Sequence, residues 1–124
     1  TDLSPEVNFN IEQPFFEIKG ESRPENARKF YETLIRWLET FCEVQLVKDK
    51  NQPIVFNCRF EYLNSISQKY MYGLLSMLDK YYQDGLNLTI DWHYEQEDTD
   101  MKESGDEYAG LMKVPFRILP FDPA

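Results

Sequence analysis

The sequence predicts a small α/β domain with a mixed sheet of about five strands and its helices mainly on one face. Short segments in which apolar and polar residues alternate indicate half-buried strands, because successive side chains of a strand point to opposite faces. Longer segments in which apolar residues recur at spacings of three and four indicate amphipathic helices. These segments follow in the order β, β, α, β, α, β, α, β, and the chain has 124 residues, so we expect one domain over residues 1–124.

Two short strands open the chain, over residues 6–12 and 15–19. In the first strand, Val7, Phe9 and Ile11 alternate with polar residues, so one face of this strand is apolar. A glutamine and a proline separate the two strands. Because strands joined by so short a connection pair antiparallel, the segment predicts a β-hairpin.

The first helix is predicted to begin at Ser22. Ser22 and Glu25 fit the S-x-x-E capping pattern, and Pro24 stands in the first turn, where its missing N–H costs little. Apolar residues then recur at helical spacing, and polar residues take over after them. We therefore predict that the helix ends near Cys42 or Glu43.

A strand, a helix and a second strand form a predicted βαβ unit in the middle of the chain. The first strand covers residues 54–60, the helix carries an apolar stripe over residues 71–82, and the second strand covers residues 88–94. Asp84 and Gly85 are typical of the end of a helix. A crossover of this kind predicts that the two strands pair parallel.

An acidic segment, residues 95–107, holds seven acids and one lysine. Its charge predicts a solvated loop, which runs into a short helix around residues 108–112 and a last strand over residues 116–119. The acids lack the D-x-D-x-D-G spacing that wraps oxygens around a calcium ion. We therefore expect no metal site, and a small metal-dependent enzyme stays a rival hypothesis.

The composition excludes some classes of partner. The chain has 22 acidic and 13 basic residues, and its net charge of −9 repels phosphate backbones and anionic lipid head groups, so we expect no nucleic-acid or membrane partner. No apolar run approaches the roughly 20 residues that span a bilayer, and residues 1–8 contain neither a basic nor an apolar stretch, so we expect a cytoplasmic protein. Cys42 and Cys58 are too few for a disulfide framework, and we expect reduced, buried thiols.

Patterns typical of catalysis are missing from the sequence. His93 is the only histidine and lies on the polar side of its predicted strand, with no nucleophile motif nearby. The phosphate-binding and hydrolase patterns G-x-x-x-x-G-K, G-x-G-x-x-G and G-x-S-x-G are also missing. We therefore predict a protein without catalytic residues or cofactors.

Two serines, Ser65 and Ser67, lie where the middle strand turns into the second helix. One explanation is capping, in which a serine oxygen accepts a hydrogen bond from a free N–H of the first turn. The other is phosphorylation, because free N–H groups and the positive end of the helix dipole favour a group that gains about two negative charges. The pattern by itself does not separate these two explanations.

Motifs along nearly the whole chain match one known family in order. They are Ser4, Pro5, Val7, Phe9, Gly20, Ser22, Pro24, Glu25, Asn26, Phe30, Tyr31, Leu34, Trp37, Glu61, Tyr62, Asn64, Ser65, Trp92, Tyr94, Glu95, Asp98, Asp100, Met101, Glu103, Gly105, Pro115 and Phe116. On these motifs the sequence resembles the SiaC-type regulatory phosphoproteins, whose fold is similar to the STAS domain of anti-sigma-factor antagonists. The resemblance implies a single STAS-like regulatory domain.

The resemblance also implies a partner switch that is controlled at one hydroxyl. In such proteins a serine/threonine kinase with a histidine-kinase-like fold modifies the residue after the asparagine of the second-helix turn, and a PP2C-type phosphatase restores it. That residue is Ser65 in this sequence. The unmodified form binds and activates a target enzyme, a diguanylate cyclase in the type system, and so raises cyclic-di-GMP.

The sequence departs from the family pattern at two positions. Ser65 stands where threonine is common, and Ile66 stands where a further small hydroxyl residue is common. We expect a buried Ile66 that fixes the turn and directs Ser65 outward. The second departure leaves Ser67 as a rival phosphate acceptor.

The family pattern further indicates which residues contact partners. We expect an apolar docking face at the start of the second helix, which a phosphate would disrupt. The predicted partner-binding residues are Arg23, Glu25, Asn26, Tyr62, Leu63, Asn64, Lys69 and Tyr70. Arg23, Glu25 and Asn26 have a second explanation as the first turn of the first helix.

Two further hypotheses stay open. In one, the chain is a STAS-like module that binds a small apolar ligand in a pocket lined by Trp92, Tyr94 and helix aromatics. In the other, it is a constitutive structural subunit whose complex no hydroxyl modification affects. A closed interior counts against the first hypothesis, and a partner that depends on phosphorylation counts against the second.

Overall fold

The computed structural model describes residues 4–22 and 26–122. Within these residues it contains β1 (Glu6–Asn10), β2 (Phe15–Ser22), α1 (Ala27–Asp49), β3 (Ile54–Leu63), α2 (Ser65–Gln83), β4 (Leu88–Glu95), α3 (Thr99–Leu111) and β5 (Phe116–Phe121). The elements follow the predicted order. The predicted α/β fold with a five-stranded mixed sheet is confirmed.

The strands lie side by side in their order along the chain. β1 pairs antiparallel with β2, as the predicted hairpin requires, and each later strand pairs parallel with the one before it. Because parallel crossovers are right-handed in nearly all proteins, strands added in one direction leave α1, α2 and α3 on the same face. Phe16, Phe56 and Ile90, which are register partners on three neighbouring strands, are buried beneath these helices.

The other face of the sheet is polar. Glu17, Asn57 and Asp91 are register neighbours on β2, β3 and β4. Asn57 Nδ2 donates to Glu17 Oε2 at 3.0 Å, and Arg117 donates two hydrogen bonds of 2.7 Å to the Asp91 carboxylate. His93 lies on this face, as predicted, and its Nε2 is 2.6 Å from Asn57 Oδ1. These side chains satisfy one another's hydrogen bonds, so this face needs no covering layer.

The ends of the elements differ from the prediction by a few residues. β1 ends at Asn10 instead of Glu12, because Asn10 Oδ1 accepts hydrogen bonds of 3.1 and 3.2 Å from the N–H groups of Glu12 and Gln13 and so forms a turn. The other strands extend one to three residues past their predicted ends. α2 ends as predicted, with Asp84 as its C-cap and Gly85 in the left-handed region at a φ of 114°.

Helix α1 begins later than predicted. Ser22 is the last residue of β2 instead of an N-cap, because its side chain lies on the buried face of the sheet. The N-cap is Asn26, whose side-chain oxygen accepts a hydrogen bond of 3.1 Å from the N–H of Lys29. Pro24 and Glu25, which complete the predicted capping pattern, lie outside the described residues.

Helix α1 also ends later, at Asp49 instead of near Cys42 or Glu43. The buried face of α1 continues into its last turns, where the buried residue is the polar Gln45, so the apolar pattern of the sequence does not reveal it. Gln45 Nε2 donates to the carbonyl oxygen of Asp49 at 2.7 Å and so ties down the last turn. α1 has 23 residues, and neither it nor any other described helix is long and apolar enough to cross a membrane.

Most of the acidic segment forms helix α3, so the predicted loop is wrong. Asp98 is the N-cap, and its carboxylate accepts a hydrogen bond of 3.0 Å from the N–H of Met101. Met101, Gly105 and Tyr108 are buried and recur at spacings of four and three. The segment therefore has a buried face, which its many exposed acids conceal in the sequence.

A β-bulge in β3 decides which residues face the helices near the start of α2. The register between β2 and β3 shifts between Gly20 and Glu21, and one residue of β3 after Phe60 is left without a partner. Gly20 has a φ of 100°, in the left-handed region that favours glycine. Because of the extra residue, Leu63 lies on the buried face and Tyr62 is exposed.

The two cysteines are free and buried, as predicted. Burial raises the pKa of Cys42 to about 12, and burial also raises the pKa of Cys58 well above its ordinary value. Only the thiolate reacts, so we expect the folded chain to react with DTNB at pH 8 about a thousandfold more slowly than the urea-unfolded chain. Prompt reaction of either thiol in the folded chain would contradict the burial that the structure shows.

Candidate functional site

The three helices all begin at one edge of the sheet. Each follows the carboxyl end of a parallel strand, and an N-cap side chain precedes each of them: Asn26 for α1, Asn64 for α2 and Asp98 for α3. The first two helix starts are adjacent, because the N–H of Asn64 donates to the carbonyl oxygen of Ser22 at 3.0 Å. Helix starts direct free N–H groups to this edge, which makes it a favourable place for anionic groups.

Ser65 is the first residue of α2, and its side chain is exposed. Asn64 supplies the cap, because its side-chain oxygen accepts a hydrogen bond of 2.8 Å from the N–H of Ser67. Gln68 adds a second link, since its Nε2 donates to the carbonyl oxygen of Leu63 at 3.1 Å. The helix start is therefore capped by an asparagine instead of a serine.

Ser67 faces the core and is fully buried. Ser22 Oγ donates to Ser67 Oγ at 2.9 Å, and the hydroxyl of Tyr31 is hydrogen-bonded to Ser22 Oγ. Burial raises the pKa of Tyr31, so its hydroxyl keeps the proton at neutral pH. Of the two serines considered as phosphate acceptors, only Ser65 has a hydroxyl that solvent reaches.

Ile66 is 58% exposed, so the expectation of a buried residue at this position is wrong. The buried face of α2 runs through Ser67, Met71 and Leu74 instead. Ser65 and Ile66 precede this face and lie on the solvent side of the first turn. The Asn64 cap and the buried Ser67 therefore direct Ser65 outward, and Ile66 adds an apolar side chain to the surface beside it.

A groove of about 430 Å³ lies beside Ser65, between α2 and α3. Its lining residues are Ser65, Gln68, Lys69, Tyr72, Ser104, Glu107, Tyr108 and Leu111. The hydroxyl of Tyr108 donates to the carbonyl oxygen of Gln68 at 3.1 Å, and burial raises the pKa of Tyr108 above its ordinary value. This hydrogen bond joins α3 to the first turn of α2.

Three apolar side chains near Ser65 are exposed: Ile66, which was expected to be buried, and Tyr72 and Leu111, which no sequence pattern marked as surface residues. We refer to these three residues as the apolar rim. They lie outside the regular stripes that form the buried faces of α2 and α3. In a sequence, such an exposed apolar surface is indicated by large apolar residues that lie off the buried face of an amphipathic helix.

Some of the predicted partner-binding residues lie at the surface. Tyr62 and Lys69 are exposed. Tyr70 is half-buried, and its ring stacks on that of Tyr31 with 5.6 Å between the ring centroids. The side chains of Tyr62 and Lys69 are thus accessible from the solvent, whereas Tyr70 contributes mainly to packing.

The other predicted partner-binding residues have different surroundings. Leu63 is only 5% exposed and belongs to the core, which corrects its placement on the docking face. Asn26 and Asn64 serve as N-caps of α1 and α2. Arg23 and Glu25 lie outside the described residues.

The residues proposed for a ligand pocket pack in the core, and the acidic residues form no metal site among the described residues. Trp92 is fully buried, its Nε1 donates to the carbonyl oxygen of Met101 at 2.9 Å, and Gly105 lies against its indole ring. Trp92 therefore fills the space beneath α3 as part of the core, together with the buried Tyr94. Within residues 4–22 and 26–122, no three His, Cys, Asp or Glu side chains are placed to hold a metal ion.

Comparison with known proteins decides the classification. The family model for SiaC family regulatory phosphoproteins matches residues 1–121 of the chain. The chain belongs to the SiaC family. Its membership agrees with the motifs found along the sequence, and the whole described fold lies within the matched range apart from residue 122.

Solved SiaC structures have the same fold as this member of the family. SiaC of Pseudomonas aeruginosa in complex with diguanylate cyclase SiaD, of which it is the activator, matches with a TM-score of 0.85 and 26% identity, over 98% of this chain and 95% of that chain. Apo-SiaC of the same organism matches with a TM-score of 0.82 and 27% identity, over 96% and 93% of the two chains. An uncharacterized protein of Pseudomonas aeruginosa is 27% identical over 122 residues, which are 98% of this chain and 93% of the relative.

Proposed function

We propose that this chain is a non-catalytic partner switch in which phosphorylation of Ser65 controls association with a target enzyme. The observation that carries the proposal is the exposed Ser65 at the first position of α2, in a family of regulatory phosphoproteins. Asn64 caps this helix, so a phosphate on Ser65 leaves the cap in place. Ser67, the rival acceptor, is fully buried, which favours Ser65.

The start of α2 suits a phosphate electrostatically. The first N–H groups of a helix have no acceptor within the helix, and the helix dipole is positive at this end. Lys69, four residues after Ser65, is exposed and adds a positive charge, and the first turn of α2 contains no acidic residue. The modification therefore needs no refolding of the domain and acts as a local change of charge.

The surface beside Ser65 suits a partner that contacts apolar groups. Tyr72 and Leu111 of the apolar rim line the groove beside Ser65, and Ile66 and Tyr62 are exposed close to Ser65 along the chain. Such side chains supply most of the binding energy at the centre of an interface. A phosphate among them has to lose its water when a partner binds, which costs several kcal/mol unless the partner supplies a cation. The unmodified chain therefore binds its target, and the phosphorylated chain does not.

We infer three kinds of partner for this switch. The target is a diguanylate cyclase, which the unmodified chain binds and activates, and its support is the activator role of SiaC from Pseudomonas aeruginosa, whose fold this chain shares. The kinase is a serine/threonine kinase with a histidine-kinase-like fold, and the phosphatase is of the PP2C type. These two partners rest on the family resemblance and on the accessibility of Ser65.

Pull-down with Ser65→Ala and Ser65→Asp forms of the whole chain tests the proposal. We expect the alanine form to keep a partner that the aspartate form loses, because the aspartate places a charge among apolar groups. An aspartate carries only one negative charge, so mass-spectrometric mapping of the phosphate on the native protein accompanies the pull-down. The mapped phosphate is expected on Ser65.

Val47→Asp is the matched control for this pull-down. Val47 is 90% exposed in the last turns of α1, which end at the opposite edge of the sheet from Ser65. We expect the Val47→Asp form to keep the partner, since the same charge lies far from the docking surface. Identical partner sets for Ser65→Ala and Ser65→Asp, or a phosphate mapped to Ser67, would reject the proposed switch.

A further inference from the structure

Buried hydroxyl groups connect the start of α2 to two other elements. We refer to Ser22 of β2, Tyr31 of α1 and Ser67 of α2 as the hydroxyl cluster, and all three residues are fully buried. Ser22 Oγ donates to Ser67 Oγ at 2.9 Å. A serine hydroxyl has a single proton, so the Tyr31 hydroxyl is the donor in its hydrogen bond to Ser22. The hydrogen bonds thus run from Tyr31 through Ser22 to Ser67.

The hydroxyl cluster holds its three elements in one arrangement. Apolar side chains tolerate small displacements, because their contacts depend little on direction. A buried hydroxyl loses its hydrogen bond when it is displaced, and an unpaired buried oxygen is unfavourable. A satisfied polar cluster in a core therefore specifies a single geometry.

The element that the hydroxyl cluster holds is the turn that carries Ser65. Ser67 lies two residues after Ser65 and in the same turn of α2. The other side of this turn is also held, since the N–H of Asn64 donates to the carbonyl oxygen of Ser22 at 3.0 Å. Ser22 thus anchors the turn twice, with its backbone before Ser65 and with its side chain after it.

We propose that Tyr31 and Ser22 are positioning residues for Ser65: through Ser67 they hold the first turn of α2 so that the Ser65 hydroxyl faces a kinase and a phosphate there meets the free N–H groups of the helix start. This inference rests on the proposed function of Ser65. It assigns a role to buried residues that contact no partner themselves. The cluster also links the starts of α1 and α2, because Tyr31 lies in the second turn of α1.

Tyr31→Phe removes the donor of the hydroxyl cluster and keeps the aromatic ring, which stacks on Tyr70. The first readout is hydrogen exchange of the amides of Ser67 and Gln68, which are bonded to the side chain and the carbonyl oxygen of Asn64. We expect these amides to exchange about tenfold faster in the variant, the change that loss of one net hydrogen bond produces. Amides in the middle of β3 exchange only when the whole domain unfolds, so their exchange rates are expected to change only as much as the global stability of the variant changes.

Tyr81→Phe is the matched control for hydrogen exchange. The Tyr81 hydroxyl donates to Glu43 Oε1 at 3.0 Å, so it also joins α2 to α1, but at the other end of both helices. We expect this variant to leave the exchange of Ser67 and Gln68 unchanged. Equal acceleration of these amides in both variants would show a general loosening of the two helices and would overturn the positioning role.

The second readout follows the phosphate itself. With phosphoserine incorporated genetically at position 65, a ³¹P NMR titration measures the second pKa of the phosphate, which is about 6 for a free phosphoserine. We expect a lower pKa in the otherwise unchanged chain, because N–H donors favour the dianion, and a return toward 6 in Tyr31→Phe and in Ser22→Ala. A purely structural role would lower the stability to urea without moving this pKa.

The outcomes separate this inference from the proposed function. An unchanged phosphate pKa in both Tyr31→Phe and Ser22→Ala would overturn the inference, while the pull-down with Ser65 variants could still support the switch. The opposite outcome is also informative. If amide exchange and the phosphate pKa change as expected but the Ser65 variants capture identical partners, the hydroxyl cluster still holds this turn, and the switch is rejected. Two variants are used so that a folding defect in one does not decide the result.

Discussion

Phosphorylation of Ser65 is expected to lower the affinity of this chain for its target by about a thousandfold, or about 4 kcal/mol. Phosphoserine carries close to two negative charges at pH 7, which the one positive charge of Lys69 does not balance, and the apolar rim beside it offers no further cation. Burying an unpaired charge against apolar groups costs several kcal/mol, which accounts for a loss of this size. Isothermal titration calorimetry measures this loss of affinity. The chain with phosphoserine incorporated at position 65 and the unmodified chain are each titrated with the partner that the unmodified chain captures.

A control with the same charge at another place separates local from long-range effects. Phosphoserine in place of Val47, at the opposite edge of the sheet, is expected to change the affinity by less than about threefold, since solvent screens a distant exposed charge. Desolvation is not screened by salt, so most of the loss caused by phosphoserine 65 is expected to persist at high ionic strength. A loss that disappears in high salt would instead indicate long-range repulsion between the phosphate and negative charges of the target.

Gly105→Ala is expected to destabilise the fold by about 3 kcal/mol, as inserted methyl groups do in a tightly packed core. A Cβ on residue 105 would lie 2.7 Å from Nε1 and 2.9 Å from Cγ of Trp92. Trp92 is fully buried and hydrogen-bonded to the carbonyl oxygen of Met101, so its ring has no free space to move into. The variant must shift α3 away from the sheet or break this hydrogen bond. Urea unfolding of the variant and the parent chain measures the difference.

Gly73→Ala is the control for this stability measurement. Gly73 lies inside α2, and apart from the neighbouring residues and backbone of its own helix no atom lies within 4 Å of the place that a Cβ would take. Alanine favours a helix over glycine by about 1 kcal/mol, so we expect this variant to be slightly more stable than the parent chain. Opposite signs for the two variants would show that the close contact with Trp92 causes the effect. A Gly105→Ala chain as stable as the parent would contradict the packing of α3 on the sheet.

The fold could be predicted where the pattern of the sequence is local. Alternation of apolar and polar residues located β1 and β4, short apolar runs located the other three strands, and the short spacing of β1 and β2 predicted their antiparallel pairing. The prediction failed for α3, because exposed acids outnumber the few buried residues of this helix. It also failed at the start of α1, where Ser22 fits a capping pattern in sequence but completes a strand in the structure.

The candidate site was predictable in part. The resemblance to the SiaC family indicated Ser65, and the structure adds that this side chain is exposed while Ser67 is buried. The pattern could not show this difference, since both serines stand at the same strand-to-helix turn. The side chains that separate them, Ser22 and Tyr31, come from segments more than 30 residues away along the chain.

The sequence alone determined the α/β class, the order of the elements, the parallel pairing of β3 with β4 and the negative charge, because periodicity and composition act over short stretches of chain. Only the tertiary structure decided that a bulge buries Leu63, that Asn64 caps α2, and that Ser67 joins a buried hydroxyl cluster. These features depend on the register of neighbouring strands and on contacts between distant segments. Such contacts form only when the whole sheet and its helices come together, so no local pattern encodes which hydroxyl reaches the solvent.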